Sequence, residues 1–267
     1  MEIKRNRNTA ELVGLSFGDG GLTYRSESKR VKFQLRGHLT EDKEHYDNYV
    51  IPLFNKEIMN PLFSRDVGIV FNKRINFYGI SVESVNIERT LNYLGIPSGV
   101  KQELPIPKWI KEDKDYLLAF LRGFFDTDGS LFCQRNYSIK NNKFHTQIRI
   151  YLSCTSKTLM YNIYESLKLL GYKALIYSYK PSKKGKRDSY TVEICGGIQV
   201  NKWMKEIGSK NPKHLTKYSL WKTFGFCPPY TSLELRKKML KKEVSPYSCY
   251  TRMCRSGQTG EIKTLVA

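Results

Sequence analysis

The sequence is short of acid. Its 267 residues carry 25 Asp and Glu against 45 Lys and Arg, a formal charge of +20 at pH 7. So large an excess costs self-repulsion in a compact state, and a polyanion relieves it. Nucleic acid is the first partner this suggests; a ribosomal or merely basic soluble protein is the plain alternative. Cysteine is scarce as well. The six residues Cys133, Cys154, Cys195, Cys227, Cys249 and Cys254 include no CxxC pair, and none precedes position 133. That argues against a zinc module and against a disulfide framework. Cys133, Cys154 and Cys195 fall in strand-like runs and are expected as buried thiols in a reducing, intracellular setting. The four histidines are scattered. No run approaches the ~20 apolar residues of a membrane span. MEIKRNRNTAEL has no apolar segment behind its charges, so neither a membrane partner nor a signal peptide is expected.

What the sequence has is an order of elements that occurs twice. Thr9 to Phe17 reads as a helix with Thr9 as its cap, stopped by the glycines at 18–21. LTYRSE and RVKFQLRG alternate as strands, the second with Val31, Phe33 and Leu35 opposite Lys32, Gln34 and Arg36. A helix beginning at Thr40, two strands around an Asn72-Lys73 turn and a helix ended by Gly95 follow. From Asp115 the order recurs: a helix to Asp126, strands SLFCQRNYSI and FHTQIRIYLSC, a helix, strands KALIYSY and SYTVEIC around the basic loop KPSKKGKRD, and the helix VNKWMKEIG. This is an internal duplication. The fold class expected is α+β, with two pseudo-symmetric αββαββα repeats, each a curved antiparallel sheet backed by helices. The divisions are residues 1–100 for the first repeat, 101–113 for a proline-bearing linker and 114–230 for the second repeat. A basic tail over 231–267 is expected to be mobile.

Each repeat runs its first helix into an acidic residue followed by glycine. Gly14 precedes Asp19 by five residues, and Gly123 precedes Asp128 by five. A glycine inside a helix costs roughly 0.5–1 kcal/mol relative to alanine, a cost tolerated where a backbone must approach closely. If the two helices pack through Gly14 and Gly123, their C-terminal ends bring Asp19 and Asp128 together. A helix C-terminus is an unfavourable place for two carboxylates. Divalent cations resolve the conflict, and Mg²⁺ takes oxygen ligands with water and phosphate completing its shell. Carboxylates and metal facing a basic, strand-lined surface form a phosphodiester-hydrolysis site. The bland reading makes both residues ordinary Asp-Gly turns; the repetition at equal spacing within one chain argues against it.

Leu12 to Gly20 (LVGLSFGDG) and Leu121 to Gly129 (LRGFFDTDG) resemble the two motifs of a LAGLIDADG homing endonuclease of the single-chain, two-repeat type. PIPKWI and GSKNPKHLTKYSLWKTFG resemble the archaeal intron-encoded members, so that the likeness spans roughly residues 8–226. The resemblance implies a monomeric, site-specific double-strand DNA endonuclease. It would cut one phosphodiester per strand of a long target and leave 3′ overhangs. It implies Mg²⁺ as cofactor, with Mn²⁺ substituting and Ca²⁺ binding without supporting cleavage. Asp19 and Asp128 would be the catalytic metal ligands, helped by the carbonyls of Gly18 and Thr127. Asp126, at the earlier acidic position of the second motif, is given a helix-end structural role, since Phe17 stands at that position in the first. The compartment implied is the cytoplasm of a prokaryote or archaeon, or an organelle. The rival class is a non-cleaving binder such as an RNA maturase acting on intron RNA, which needs the basic surface but not the carboxylates.

The outward strand residues supply the nucleic-acid face in this reading. They are Arg25, Lys32, Gln34 and Arg36 in the first sheet, and Gln134, Gln147, Arg149, Tyr151 and Ser153 in the second. Gln and Arg match adenine and guanine edges in the major groove. Lys183, Lys184, Lys186 and Arg187, on a loop, are expected to contact phosphate. Family members place an auxiliary lysine or glutamine near the cleavage centre. Arg36, Arg149 and Gln199 are the candidates, and none is singled out.

Overall fold

A computed structural model describes residues 3–25, 30–99, 103–140, 142–181 and 187–250. Helix α1 (Arg7–Gly18) starts one turn earlier than Thr9 because Asn6 takes the cap. The Asn6 side chain accepts the Thr9 N–H at 2.9 Å, and the Thr9 hydroxyl accepts the Asn6 N–H at 2.9 Å. Thr9 is thus the reciprocal partner in a capping box rather than the cap. Strands β1 (Gly20–Arg25) and β2 (Arg30–His38) follow, then a helical stretch α2 over 43–63. It begins at Lys43 rather than Thr40 and widens into π turns at 46–50 and 55–59. Each wide turn comes just before a proline, Pro52 or Pro61, which brings no N–H to the helix ladder. Strands β3 (Ile69–Asn72) and β4 (Phe77–Glu83) and helix α3 (Val85–Leu94) complete the first half.

The second half runs α4 (Lys108–Lys111), α5 (Lys114–Asp128), β5 (Gly129–Gln134), β6 (Gln147–Cys154), α6 (Lys157–Leu169), β7 (Ala174–Tyr179), β8 (Ser189–Cys195) and α7 (Gly197–Glu206). The two sheets have the same strand order, β1-β2-β4-β3 and β5-β6-β8-β7, and every pairing is antiparallel. The protein is a mixed α/β fold of two four-stranded sheets backed by helices. The alternation read from the sequence sets the faces. Val31, Phe33 and Leu35, and Ile148, Ile150 and Leu152, are buried against helices, while their neighbours point the other way.

Helices α1 and α5 form the spine between the halves. Leu12, Val13, Leu15, Ala119, Phe120, Leu121 and Phe124 along them are essentially inaccessible. A Cβ on Gly14 would lie 2.9 Å from the Phe124 nitrogen and closer still to the Phe120 carbonyl oxygen. A Cβ on Gly123 would lie 2.9 Å from the Leu15 nitrogen and closer to the Glu11 carbonyl. The two glycines are therefore what lets the backbones touch. Buried Glu11 pairs across the same interface with Arg122 and accepts the Tyr49 hydroxyl at 2.9 Å.

The expected linker and part of the expected mobile tail are both packed. In the 101–113 linker, Leu104, Ile106 and Ile110 are buried, and the Leu104 and Ile106 N–H groups donate to Ser156 and Asn162, each at 3.2 Å. The mobile tail expected from 231 does not hold over 231–250. After α8 (Pro212–Phe224) the chain forms helix α9 (Leu233–Leu240) and a short turn at Pro246–Tyr250. Leu233, Met239 and Cys249 are buried, and so is Arg236, whose guanidinium meets Glu41 at 3.1 Å and Thr216 at 3.0 Å. The apolar positions are too few to show as periodicity. They suffice because Glu41 and Glu44, from the first half, supply partners for Arg236 and Lys237. Residues 251–267 lie outside the described residues. Of the cysteines expected in strand interiors, Cys133 is buried, Cys154 half-buried and Cys195 exposed, since Cys195 ends its strand on the outer face.

Candidate active site

The helix pair α1/α5 carries the two motif acids to one end. A Cβ on Gly18 would press into the Thr127 side chain, so the helix ends meet there. Thr127 turns its own hydroxyl back onto the Gly123 and Phe124 carbonyls at 3.1 and 3.0 Å. Asp19 caps α1 with its N–H on the Leu15 carbonyl at 3.0 Å, and its backbone carbonyl accepts the Arg36 N–H of β2 at 3.1 Å. Its half-buried carboxylate accepts the Tyr46 hydroxyl at 2.9 Å. Asp128, the last residue of α5, is exposed. Burial, then the charges of Asp42 and Asp128, raise the Asp19 carboxyl to about 7. The site is thus crowded with negative charge.

Three further residues come in that the sequence did not point to. Asp42 lies beside Asp19, held by the His38 N–H at 3.0 Å, the Asn211 amide at 2.9 Å and the Lys213 ammonium at 3.0 Å. Burial works to raise its pKa, but Lys213, Asn211 and the His38 N–H together bring it below the ordinary range. The Lys213 charge also reaches Asp19 and draws its pKa down. Tyr46 is buried, and its hydroxyl pKa is pushed well up by burial and by Asp19. Lys213 lies within GSKNPKHL, a stretch singled out only by likeness. Asp42 and Tyr46 had no local signal: they arrive because the chain reverses after β2.

Asp126 is 1 % exposed and points away from solvent into the 209–211 segment. It accepts the Ser209 hydroxyl and the Lys210 N–H, and its backbone carbonyl accepts the Asn211 amide at 2.9 Å. Burial raises it to about 7, partly offset by those two donors. Its contacts are those of an anchor for the segment that carries Lys213. The three auxiliary candidates from the sequence are engaged elsewhere. Arg36 bonds Gln34, Arg149 bonds Glu193, and Gln199 accepts the Lys173 N–H at 2.9 Å.

The donor set can be tested against a divalent cation. Among the described residues no cluster of three or more His, Cys, Asp or Glu side chains forms a metal cage. What is present is two carboxylates on adjacent helix ends, with the carbonyls of Gly18 and Thr127 beside them. All-oxygen donors, too few to fill a shell, fit Mg²⁺, which keeps waters and takes phosphate oxygens for the rest.

The outward faces differ between the sheets. In the first, Lys32 is 4.0 Å from Glu83, and Gln34 and Arg36 bond each other. The Arg25 side chain lies outside the described residues, as do Lys183, Lys184 and Lys186; Arg187 is exposed. In the second, Gln134 stands across from Gln147, Phe132 from Arg149, and Ser130 from Tyr151. Arg149 is not free: it pairs with Glu193, itself 3 % exposed on the same face, and reaches Gln147 at 3.3 Å. Ser153 bonds Thr191 at 2.8 Å, and Tyr151 packs edge-on against Phe132.

Residues 115–208 match the family model of the LAGLIDADG-like domain. That stretch of the second half is thus similar to a LAGLIDADG-like domain. The first half repeats its strand order, with Leu12–Gly20 at the equivalent helix end. The resemblance read from the sequence therefore stands, as two repeats on one chain. Similar solved structures include the N-terminal LAGLIDADG domain of DUF199/WhiA, 15 % identical with a TM-score of 0.46, covering 76 % of this chain and 83 % of that one. The LAGLIDADG meganuclease I-AabMI bound to uncleaved DNA is 10 % identical with a TM-score of 0.48, covering 88 % and 96 %. The homing endonuclease I-WcaI bound to its DNA recognition sequence is 13 % identical with a TM-score of 0.45, covering 78 % and 80 %. At such identities and scores these likenesses add no weight to a functional reading. No described helix is long and apolar enough to cross a membrane.

Proposed function

We propose that the chain is a divalent-metal-dependent, site-specific double-strand DNA endonuclease working as a monomer. The observation that carries this is the close contact of the α1 and α5 ends, which sets Asp19 and Asp128 on adjacent helix termini, with Tyr46 bonded to Asp19 and Lys213 bonded to the neighbouring Asp42. Asp19 and Asp128, with the Gly18 and Thr127 carbonyls, would hold Mg²⁺; when bound, the cation lowers the pKa of water and neutralises charge building on the phosphate. The chain's own residues do the rest. Tyr46 fixes the Asp19 carboxylate by donating to one oxygen. Asp42, itself held by the Asn211 amide, holds the Lys213 ammonium where its charge adds to the site, suiting it to a phosphate oxygen or to the leaving oxygen. The outward residues of β1, β2, β5 and β6 would orient the duplex, with Gln34, Gln134 and Gln147 as base readers and Arg187 on phosphate. An intron-borne gene, 3′ overhangs and a long target belong to the same reading.

Cleavage of plasmid DNA spanning the intronless form of the insertion site, with and without Mg²⁺, tests it. Metal-dependent linearisation at one position is the expected result. Tight binding of that DNA without any cut or nick would instead favour a non-cleaving binder, and preferential binding of intron RNA the maturase role.

A further inference from the structure

An open cavity of about 410 Å³ lies where β5, α8 and the 227–231 loop meet, and none of Asp19, Asp42 and Asp128 lines it. Cys133 of β5 and Cys227 both face into it, beside Lys217 and Arg236. The two thiols lie within interacting reach of each other although they are 94 positions apart in the chain, and the Cys227 thiol also donates to the Pro228 carbonyl at 3.7 Å. Arg236 is tied to Glu41, Thr216 and the Thr231 carbonyl. The Lys217 ammonium makes no hydrogen bond or ion pair among the described residues, yet the residue is half-buried. Burial, then the neighbouring Arg236, pushes its pKa down to about 8. Arg236 is explained by the packing of the 231–250 segment, but the Lys217 ammonium beside the two thiols, in a cavity open to a small molecule, is not.

We propose that Cys227 and Cys133 form a peroxide-responsive thiol pair, with Cys227 the attacking sulfur and Cys133 the resolving one. The Cys227 thiolate is favoured by the Cys133 thiol and, against burial, by the charges of Arg236 and Lys217. Cationic neighbours, access and an adjacent resolving thiol are what make a cysteine a redox sensor. The step balances. The Cys227 thiolate attacks one oxygen of hydrogen peroxide and the O–O bond breaks; Cys227 becomes a sulfenic acid, and the hydroxide released takes up a proton as water. The Cys133 thiol then attacks that sulfur: the S–S bond forms, the S–O bond breaks, and a second water leaves. Two thiols are oxidised and one peroxide is reduced to two waters. The bond ties the segment after α8 to the strand whose Phe132 and Gln134 lie on the outward face.

The test uses the full chain, reduced and then given a modest excess of hydrogen peroxide, followed by alkylation and peptide mapping without reductant. The expected product is a Cys133–Cys227 peptide pair, lighter by two hydrogens, reversed by dithiothreitol and accompanied by a higher Tm. Exposed Cys195 is the internal control. Oxidation of Cys195 with Cys133 and Cys227 still alkylatable would overturn the proposal, and this readout needs no variant. Cys133→Ser should leave a Cys227 sulfenic acid that dimedone traps. Lys217→Met should slow the reaction of Cys227 several-fold. Equal rates for Lys217→Met and wild type would refute the role given to the cations.

Discussion

Alanine at Gly14 tests the helix interface most directly. Its new methyl group would lie 2.9 Å from the Phe124 nitrogen, and ordinary contact begins at 3.4 Å. That atom alone asks the helices to part by 0.5 Å, from 2.9 to 3.4 Å, and the Phe120 carbonyl oxygen asks for more. Both obstacles are backbone, so no side chain can swing aside. Parting α1 from α5 loosens Leu12, Val13, Phe120 and Phe124, all fully buried, and the edge-on Phe17–Phe120 pair at 5.4 Å. Overpacking of this kind costs about 1–3 kcal/mol and occasionally more. Alanine's better helix propensity returns roughly 0.5–1 kcal/mol. Because the obstacle is rigid, the net expectation is a loss of about 2 kcal/mol, or roughly 4–8 °C in Tm for a chain near this size. Urea denaturation of Gly14→Ala, Gly123→Ala and the double variant measures it. Once the helices have parted for one methyl the second finds room, so the double variant should cost less than the sum by at least ~0.5 kcal/mol. Gly68→Ala, whose Cβ would meet nothing within 4 Å, is the control and should be near neutral. A Gly14→Ala protein as stable as wild type would refute the close approach, and with it the juxtaposition of Asp19 and Asp128.

Asp19→Asn and Asp128→Asn should each abolish double-strand cleavage while DNA binding stays within roughly tenfold, since an amide is a poor Mg²⁺ ligand and binding rests on the sheets; either variant cutting at full rate would remove the residue from the site. Lys213→Met should lower the cleavage rate about 100- to 1,000-fold with little change in affinity, the size of effect expected for one donor aimed at developing charge; a variant that cleaves normally would leave Lys213 a structural partner of Asp42. Arg149→Ala should destabilise the fold by about 3 kcal/mol, because it leaves buried Glu193 unpaired, whereas Gln34→Ala should leave the denaturation midpoint unchanged and relax base preference at a confined position. For pH, burial above all lowers His45 to about 4, below its unfolded value of 6.5. Its contribution is thus fully present above 6.5 and is lost as pH falls toward 4. Asp19 and Asp126, raised to about 7, act oppositely, since their penalty is relieved as pH falls below 7. His214, which burial lowers well below 6.5, adds to His45; two histidines then oppose two carboxylates, the wild-type slope is shallow, and the informative measurement is His45→Gln against wild type. The variant should gain relative stability on acidification below 6.5 by up to about 1.4 kcal/mol per pH unit; parallel curves would show that His45 titrates normally.

The duplication, the strand faces and the joined helix ends were legible in the sequence, each for a local reason. Alternation over RVKFQLRG and QIRIYLSC decides which side of a strand is buried, because successive side chains point to opposite faces. A glycine five residues before each Asp-Gly marks a backbone approach, because little else justifies glycine inside a helix. Tertiary structure decided what depends on residues distant in the chain. Asp42, Tyr46 and Lys213 reach Asp19 from 23, 27 and 194 positions away, through a chain reversal and a segment anchored by Asp126. Arg149 looked like a free reader of bases on its strand, but its partner Glu193 sits on the next strand, and register alone brings them together. The 231–250 segment looked unable to bury itself; its anchors, Glu41 and Glu44, belong to the other half. Periodicity reports what one element does with its own side chains, and ion pairs between halves leave no period to read.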